Sequence, residues 1–146
     1  MIRSNLWTAG AVCALFVAGC AQQGAAAPPP VTAVATTKQL MNAMVVPASN
    51  AVFNVATEEP KNDDDWMAVQ NQAIVLAESG NLLMLGGRAP DNGDWIRFSQ
   101  AFIDASQATL KAAESKNVDA VSMAGDKLLE TCSLCHDKYM KPPATN

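Results

Sequence analysis

The feature that most constrains this chain is the run Cys132-Ser133-Leu134-Cys135-His136, near the C-terminal end of the 146-residue sequence. Two cysteines three positions apart share one face of a helix, and a histidine four positions after the first shares it too. That spacing lets two thiols add to the two vinyl groups along one porphyrin edge while an imidazole nitrogen reaches the iron. It is the attachment signature of a c-type haem, with Cys132 and Cys135 as thioether anchors and His136 as the proximal iron ligand. One such run implies one covalently bound haem per chain. It also demands a helix here and a fold able to wall in a large flat group.

Other uses of a Cys-x-x-Cys pair fit less well. A thiol redox pair works from a helix N-terminus fed by a strand, where the dipole lowers a thiol pKa. Here the pair lies near the end of the last helical pattern, and no strand pattern precedes it. A structural zinc site needs about four ligands, whereas the chain has one histidine and its other cysteines, Cys13 and Cys20, fall in the first twenty residues. A disulfide across the pair is the remaining bland use.

The chain begins with an export pattern. Arg3 precedes an apolar run over residues 6–17, of signal-peptide length and too short for a comfortable membrane span. The run ends in Val17-Ala18-Gly19-Cys20, similar to a bacterial lipobox. Residues 1–19 are therefore expected to leave as a lipoprotein signal peptide, Cys13 with them, and Cys20 to become an acylated N-terminus. Cleavage by a general signal peptidase at the same small residues is the alternative. Ala21, rather than Asp, resembles lipoproteins sent on to an outer membrane. Residues 20–33, rich in Ala, Gln and Pro, form a lipid-anchored tether, and residues 34–146 one domain with one core. The expected location is the periplasmic side of a bacterial membrane.

The sequence holds 10 Lys+Arg against 14 Asp+Glu. Residues 1–19 contain one base, Arg3, and no acid, so 9 bases then face 14 acids, a net charge of −5. That balance argues against nucleic acid as a partner.

The domain reads as four helices. The first opens at Thr36, three residues before Gln39, with capping-box spacing. Its apolar face runs through Leu40, Met41, Met44, Val45, Ala48, Ala51, Val52 and Val55, and Pro47 is expected to kink or divide it. The second is capped by Asn62 or Asp63 and carries Trp66, Val69, Ala73, Leu76, Gly80 and Leu83 inward until Gly86-Gly87. The third is expected to take Asp94 as its cap and Trp95, Phe98, Phe102, Ala105, Thr109 and Ala112 as its inner face. After a break at Lys116-Asn117, the fourth keeps Val118, Val121, Gly125, Leu128, Cys132, Cys135 and Tyr139 in one register. Both motif cysteines thus fall on the seam facing the other helices, and the porphyrin is expected to enter the core of the bundle. Gly125 either leaves room beside the ring or is a tolerated glycine.

A single histidine forbids bis-histidine ligation within one chain. The sixth iron position must be methionine, lysine, a small molecule or open. Met123, thirteen residues before His136 on the same helix, is roughly 20 Å away at ~1.5 Å per residue, and Met140 shares the face of His136. Met41, Met44, Met67 and Met84 remain.

A lone Cys-x-x-Cys-His ending an exported four-helix domain, followed by an aromatic at Tyr139 and with a methionine early in the first helix, resembles cytochrome c-prime and its low-spin, six-coordinate relatives. The resemblance covers about residues 34–141. It implies an all-α, antiparallel four-helix bundle with the haem on the C-terminal helix. In the low-spin relatives a first-helix methionine in a context like Lys38-Gln39-Leu40-Met41 is the distal ligand, which implies Met41, with Met44 in reserve. Relatives often pair through their first two helices, so a homodimer is one state the resemblance allows. Relatives also carry an arginine after the aromatic, where this chain has Met140; Lys138 nearby is expected to reach a propionate or, preferably, solvent.

With both axial positions filled the iron is saturated. The expected role is then single-electron transfer with periplasmic or membrane-associated redox partners, not enzymatic catalysis. The competing role is a five-coordinate haem that binds NO or CO, with Met41 as packing.

Overall fold

A computed structural model describes residues 30–140. The expected signal peptide, Cys20, most of the tether and the last six residues lie outside the described residues. Among the described residues there are helices and no strands, and four helical stretches pack against one another. None is long and apolar enough to cross a membrane.

The first stretch, α1, is composite: an α-helical turn Thr37–Leu40, a π-helical turn Met41–Val45, an α-helix Val46–Phe53 and a closing 3-10 turn Asn54–Ala56. Then come α2 (Asp63–Leu83), α3 (Asp94–Glu114) and α4 (Val118–Tyr139). The expected capping box is present: Thr36 Oγ1 accepts from the Gln39 N–H at 3.2 Å, and Gln39 Oε1 accepts from the Thr36 N–H at 3.0 Å. Pro47 does not divide α1. It lacks an N–H and its ring crowds the carbonyl four residues back, that of Ala43. The turn just before it is wound wider, with the Val46 N–H bonded to the Met41 carbonyl five residues earlier.

Asn62 caps α2, its Oδ1 accepting from the Asp65 N–H at 3.0 Å. Asp94 does not cap α3; Gly93 holds that position. The work falls to Asp91, whose Oδ1 accepts from the N–H of Gly93 at 2.9 Å and of Trp95 at 3.2 Å. Asp94 is the first helical residue, and its carboxylate is taken by Arg97 at 2.8 Å and by Lys138 of α4.

All six inward positions expected on α2 are buried, and so are Trp95, Phe98, Phe102, Ala105 and Thr109 on α3, where Ala113 rather than Ala112 completes the face. Val121, Gly125 and Leu128 are buried on α4. Each buried aliphatic side chain such as Leu76 or Leu128 stabilises the fold by about 1.5–3 kcal/mol. The polar side chains among them bond backward along their own helices: Ser106 to the Phe102 carbonyl at 2.7 Å and Thr131 to that of Leu128 at 2.7 Å. The core falls into two clusters. The larger, around Val52, Leu76, Phe102, Val121 and Leu128, joins all four helices. The smaller, Leu40 with Leu83 and Trp95, lies near the C-terminal end of α4.

Close approach of α2 and α3 depends on Gly80, since a Cβ there would lie 2.4 Å from Ile103 Cγ1. Gly80→Ala is expected to cost about 1–3 kcal/mol through forced displacement of a buried, β-branched side chain. Urea unfolding measures it, and an unchanged midpoint would show that the helices separate freely. Between α3 and α4, Lys116 adopts φ 52. Its N–H bonds the Ala113 carbonyl at 3.1 Å and that of Asn117 bonds the Ala112 carbonyl at 3.5 Å, a Schellman closure. Lys116→Gly is expected to raise stability by about 1 kcal/mol, less the small contribution of the exposed pair it makes with Asp63. The same unfolding measurement reads it, and a lower midpoint contradicts it.

Candidate functional site

The whole Cys-x-x-Cys-His run lies in the last turns of α4. Burial tapers along the seam: Leu128 is wholly buried, Cys132 and Cys135 are half-buried, and His136 is exposed. Cys132 packs against the larger core cluster and Cys135 against the smaller, while Met41 of α1 packs against both.

Where the two clusters meet, an apolar cavity of about 240 Å3 opens, with Met41, Phe98, Phe102, Cys132, Cys135 and His136 in its wall. Of the four methionines that the sequence leaves open, Met41 alone borders it. Met44 packs with Leu40, Leu83 and Trp95, Met67 is exposed, and Met84 caps α2 outside the wall. Gly125 is also outside it. A Cβ there would lie 3.5 Å from Phe53 Cδ1 and 3.7 Å from Val52 Cγ1, so the position is an ordinary α1–α4 contact. A larger depression, lined by Glu59 and residues 115–119, is polar and open and lies at the other end of α4.

Both thiols are free. Burial pushes the Cys132 thiol up, and burial and then the neighbouring Cys132 push up Cys135. A reactive thiolate pair is tuned in the opposite direction, and at a helix N-terminus rather than near its C-terminus. Among the described residues no three His, Cys, Asp or Glu side chains converge as a zinc site requires.

The donor set fits a porphyrin joined by thioethers: two free thiols on one helix face, both at an apolar cavity, an imidazole at its rim and a thioether sulfur in the same wall. A cofactor-sized pocket is ordinarily ~300–1,000 Å3, so the cavity must widen to admit one. Its outer wall allows that, because Val46, Phe53 and Leu129 are already 48%, 38% and 52% exposed.

The end of α4 is pinned beside the cavity by Tyr139. Its O–H donates to Asp91 Oδ2 at 2.5 Å, and its ring meets Trp95 edge-on, with centroids 5.0 Å apart, and Phe98 at 6.3 Å. Trp95 in turn donates from Nε1 to the Leu83 carbonyl at 2.8 Å. Lys138 is not simply solvated: it pairs with Asp94, which raises its pKa. The Tyr139 hydroxyl, then the Trp95 N–H, hold the Asp91 carboxyl below its ordinary value, and burial followed by Asp91 pushes the Tyr139 phenol up.

Sequence reasoning missed Asp91 and gave no cofactor role to Phe98 or Phe102. The signal for Asp91 was a carboxylate two residues before Gly93, in position for an Asx turn. No protein-family model matches the chain, nor does any curated protein or solved structure.

A carboxyl with a lowered folded-state pKa contributes stability above its ordinary value and loses it as pH falls through the folded value. Tyr139→Phe is therefore expected to lower the urea midpoint near neutral pH, with the difference from the wild type shrinking as pH drops below 3.8. A difference of equal size at pH 6 and pH 3 would mean that the phenol acts only through packing.

Proposed function

We propose that this chain is an exported monohaem c-type cytochrome that carries single electrons. In this reading the four helices form an antiparallel bundle like that of the low-spin relatives of cytochrome c-prime. Cys132 and Cys135 would hold the porphyrin through thioethers, and His136 and Met41 would hold its iron. The haem supplies a one-electron ferric/ferrous couple.

The observation that carries the reading is that Cys132, Cys135, His136 and Met41 all border one apolar cavity. Met41 and His136 would together hold the iron, and no coordination site would then remain for a substrate. Such a Met/His pair would favour the ferrous state and raise the potential, and Phe98 and Phe102 give the wall an apolar lining. Acylated Cys20 would hold the domain at the periplasmic face of a membrane, the outer membrane by preference, within reach of membrane-associated or periplasmic redox partners.

The test is the optical spectrum of the full chain matured in a host that attaches such haems. The wild type is expected to keep haem after denaturation and to show low-spin bands with a methionine–iron charge-transfer feature. Met41→Ala is expected to lose that feature, turn high-spin and bind carbon monoxide promptly. A wild type that is already high-spin and takes up carbon monoxide at once would replace this reading with gas binding, and a colourless chain would end both.

A further inference from the structure

The turn Met41–Val45 does something that a regular helix cannot. The Val46 N–H bonds the Met41 carbonyl, five residues back, where an α-helix would use that of Asn42. One additional residue is thus wound into α1. Counted back from the regular segment Val46–Phe53, Met41 stands where an unbroken α-helix would put Asn42, and a one-residue slip is about 100° of rotation. The result is visible at the cavity. Met41 is half-buried in its wall, whereas Asn42 and Ala43 are exposed.

Pro47 directly follows Val46, whose N–H closes this turn. In an unbroken α-helix its nitrogen would face the Ala43 carbonyl with no proton to give and a ring to accommodate. A widened turn removes that conflict, and π-turns arise at such points. Pro47 is itself exposed and lies outside the cavity wall, so no packing in the site accounts for it.

We infer that Pro47 is a positioning residue for Met41: by enforcing the π-turn it decides whether Met41 or Asn42 joins Val45, Val46, Ser49 and Phe53 of α1 in the wall of the cavity that His136 also borders. The inference rests on Met41 as the distal ligand, proposed above. In a regular helix the same place falls to an amide side chain, Asn42, in place of the thioether. Met44 packs with Leu40, Leu83 and Trp95 and lies outside the cavity wall.

Three haem-loaded full chains test this: the wild type, Pro47→Ala, and Pro47→Ala with Ala43 deleted. Alanine at an exposed helical position leaves no cavity and favours the regular helix. Pro47→Ala is expected to lose the methionine–iron charge-transfer band, with the Val46 N–H acceptor, read by NMR couplings across the hydrogen bond, moving from Met41 to Asn42. Deleting Ala43 converts the five-residue step to four and returns Met41 to its place, so the double variant is expected to regain the band. A Pro47→Ala protein that keeps the band overturns this inference and leaves the ligand assignment standing. Loss of the band without recovery on deletion also overturns it, because it would assign Pro47 a role in stability alone. A haem-loaded wild type that never shows the band sinks the ligand assignment, and this inference with it.

Discussion

The site depends on how the last three turns of α4 are held. Upstream, Val121 and Leu128 are wholly buried and fix the helix against its neighbours. Downstream, Cys132 and Cys135 are half-buried and His136 is exposed, so these turns have little apolar area of their own to anchor them, and helix ends fray where anchoring is weak. Tyr139 supplies the missing hold. Its ring stands edge-on to Trp95 and its hydroxyl reaches the carboxylate that caps α3. The loop between α2 and α3, which contributes nothing to the cavity wall, therefore governs the geometry of the motif.

That arrangement also explains why the cavity lies where it does. The larger cluster closes around Val52, Leu76, Phe102, Val121 and Leu128, and the smaller around Leu40, Leu83 and Trp95. Neither needs the half-buried thiols to complete it. The space between them is bordered by Met41, which touches both, and by the two cysteines, which touch one each. A group seated there would join two parts of the core that otherwise meet across a gap. Ion pairs do not substitute for this: Lys127–Glu130 and Lys116–Asp63 are exposed, and such pairs contribute about 0–1 kcal/mol each.

The helices were legible in the sequence because large apolar residues repeat at the right spacing over two to six turns. Trp66 to Leu83 reads as a buried stripe and is one. Local chemistry was legible in the Thr36–Gln39 capping box, and the cap of α2 was narrowed to Asn62 or Asp63, of which Asn62 takes it. It was not legible where two candidates flank a glycine. Asp91 and Asp94 both suit a helix start, and only the backbone path through Gly93, with φ −104 and ψ −102, decides that Asp91 caps and Asp94 is left to pair with Arg97 and Lys138. The Lys138 pair joins residues 44 apart, and Tyr139 meets Asp91 across 48. Such contacts follow from how helices pack, which local spacing does not encode.

Pro47 marks the boundary between the two kinds of information. Its lost hydrogen bond can be read from one letter, but a proline inside a helix can be met by a break, a kink or a widened turn. Which of these occurs depends on the anchors on either side. Thr36 and Arg88, which donates to the Ala35 carbonyl at 2.8 Å, hold the start of α1. Ala48 and Val52, nearly without exposure, hold its other half in the larger cluster. With both ends fixed, a break would expose buried side chains and a kink would part Leu40 from Leu83 and Trp95. Winding one more residue into the turn disturbs neither end, so the cost of the proline falls on the stretch that carries Met41.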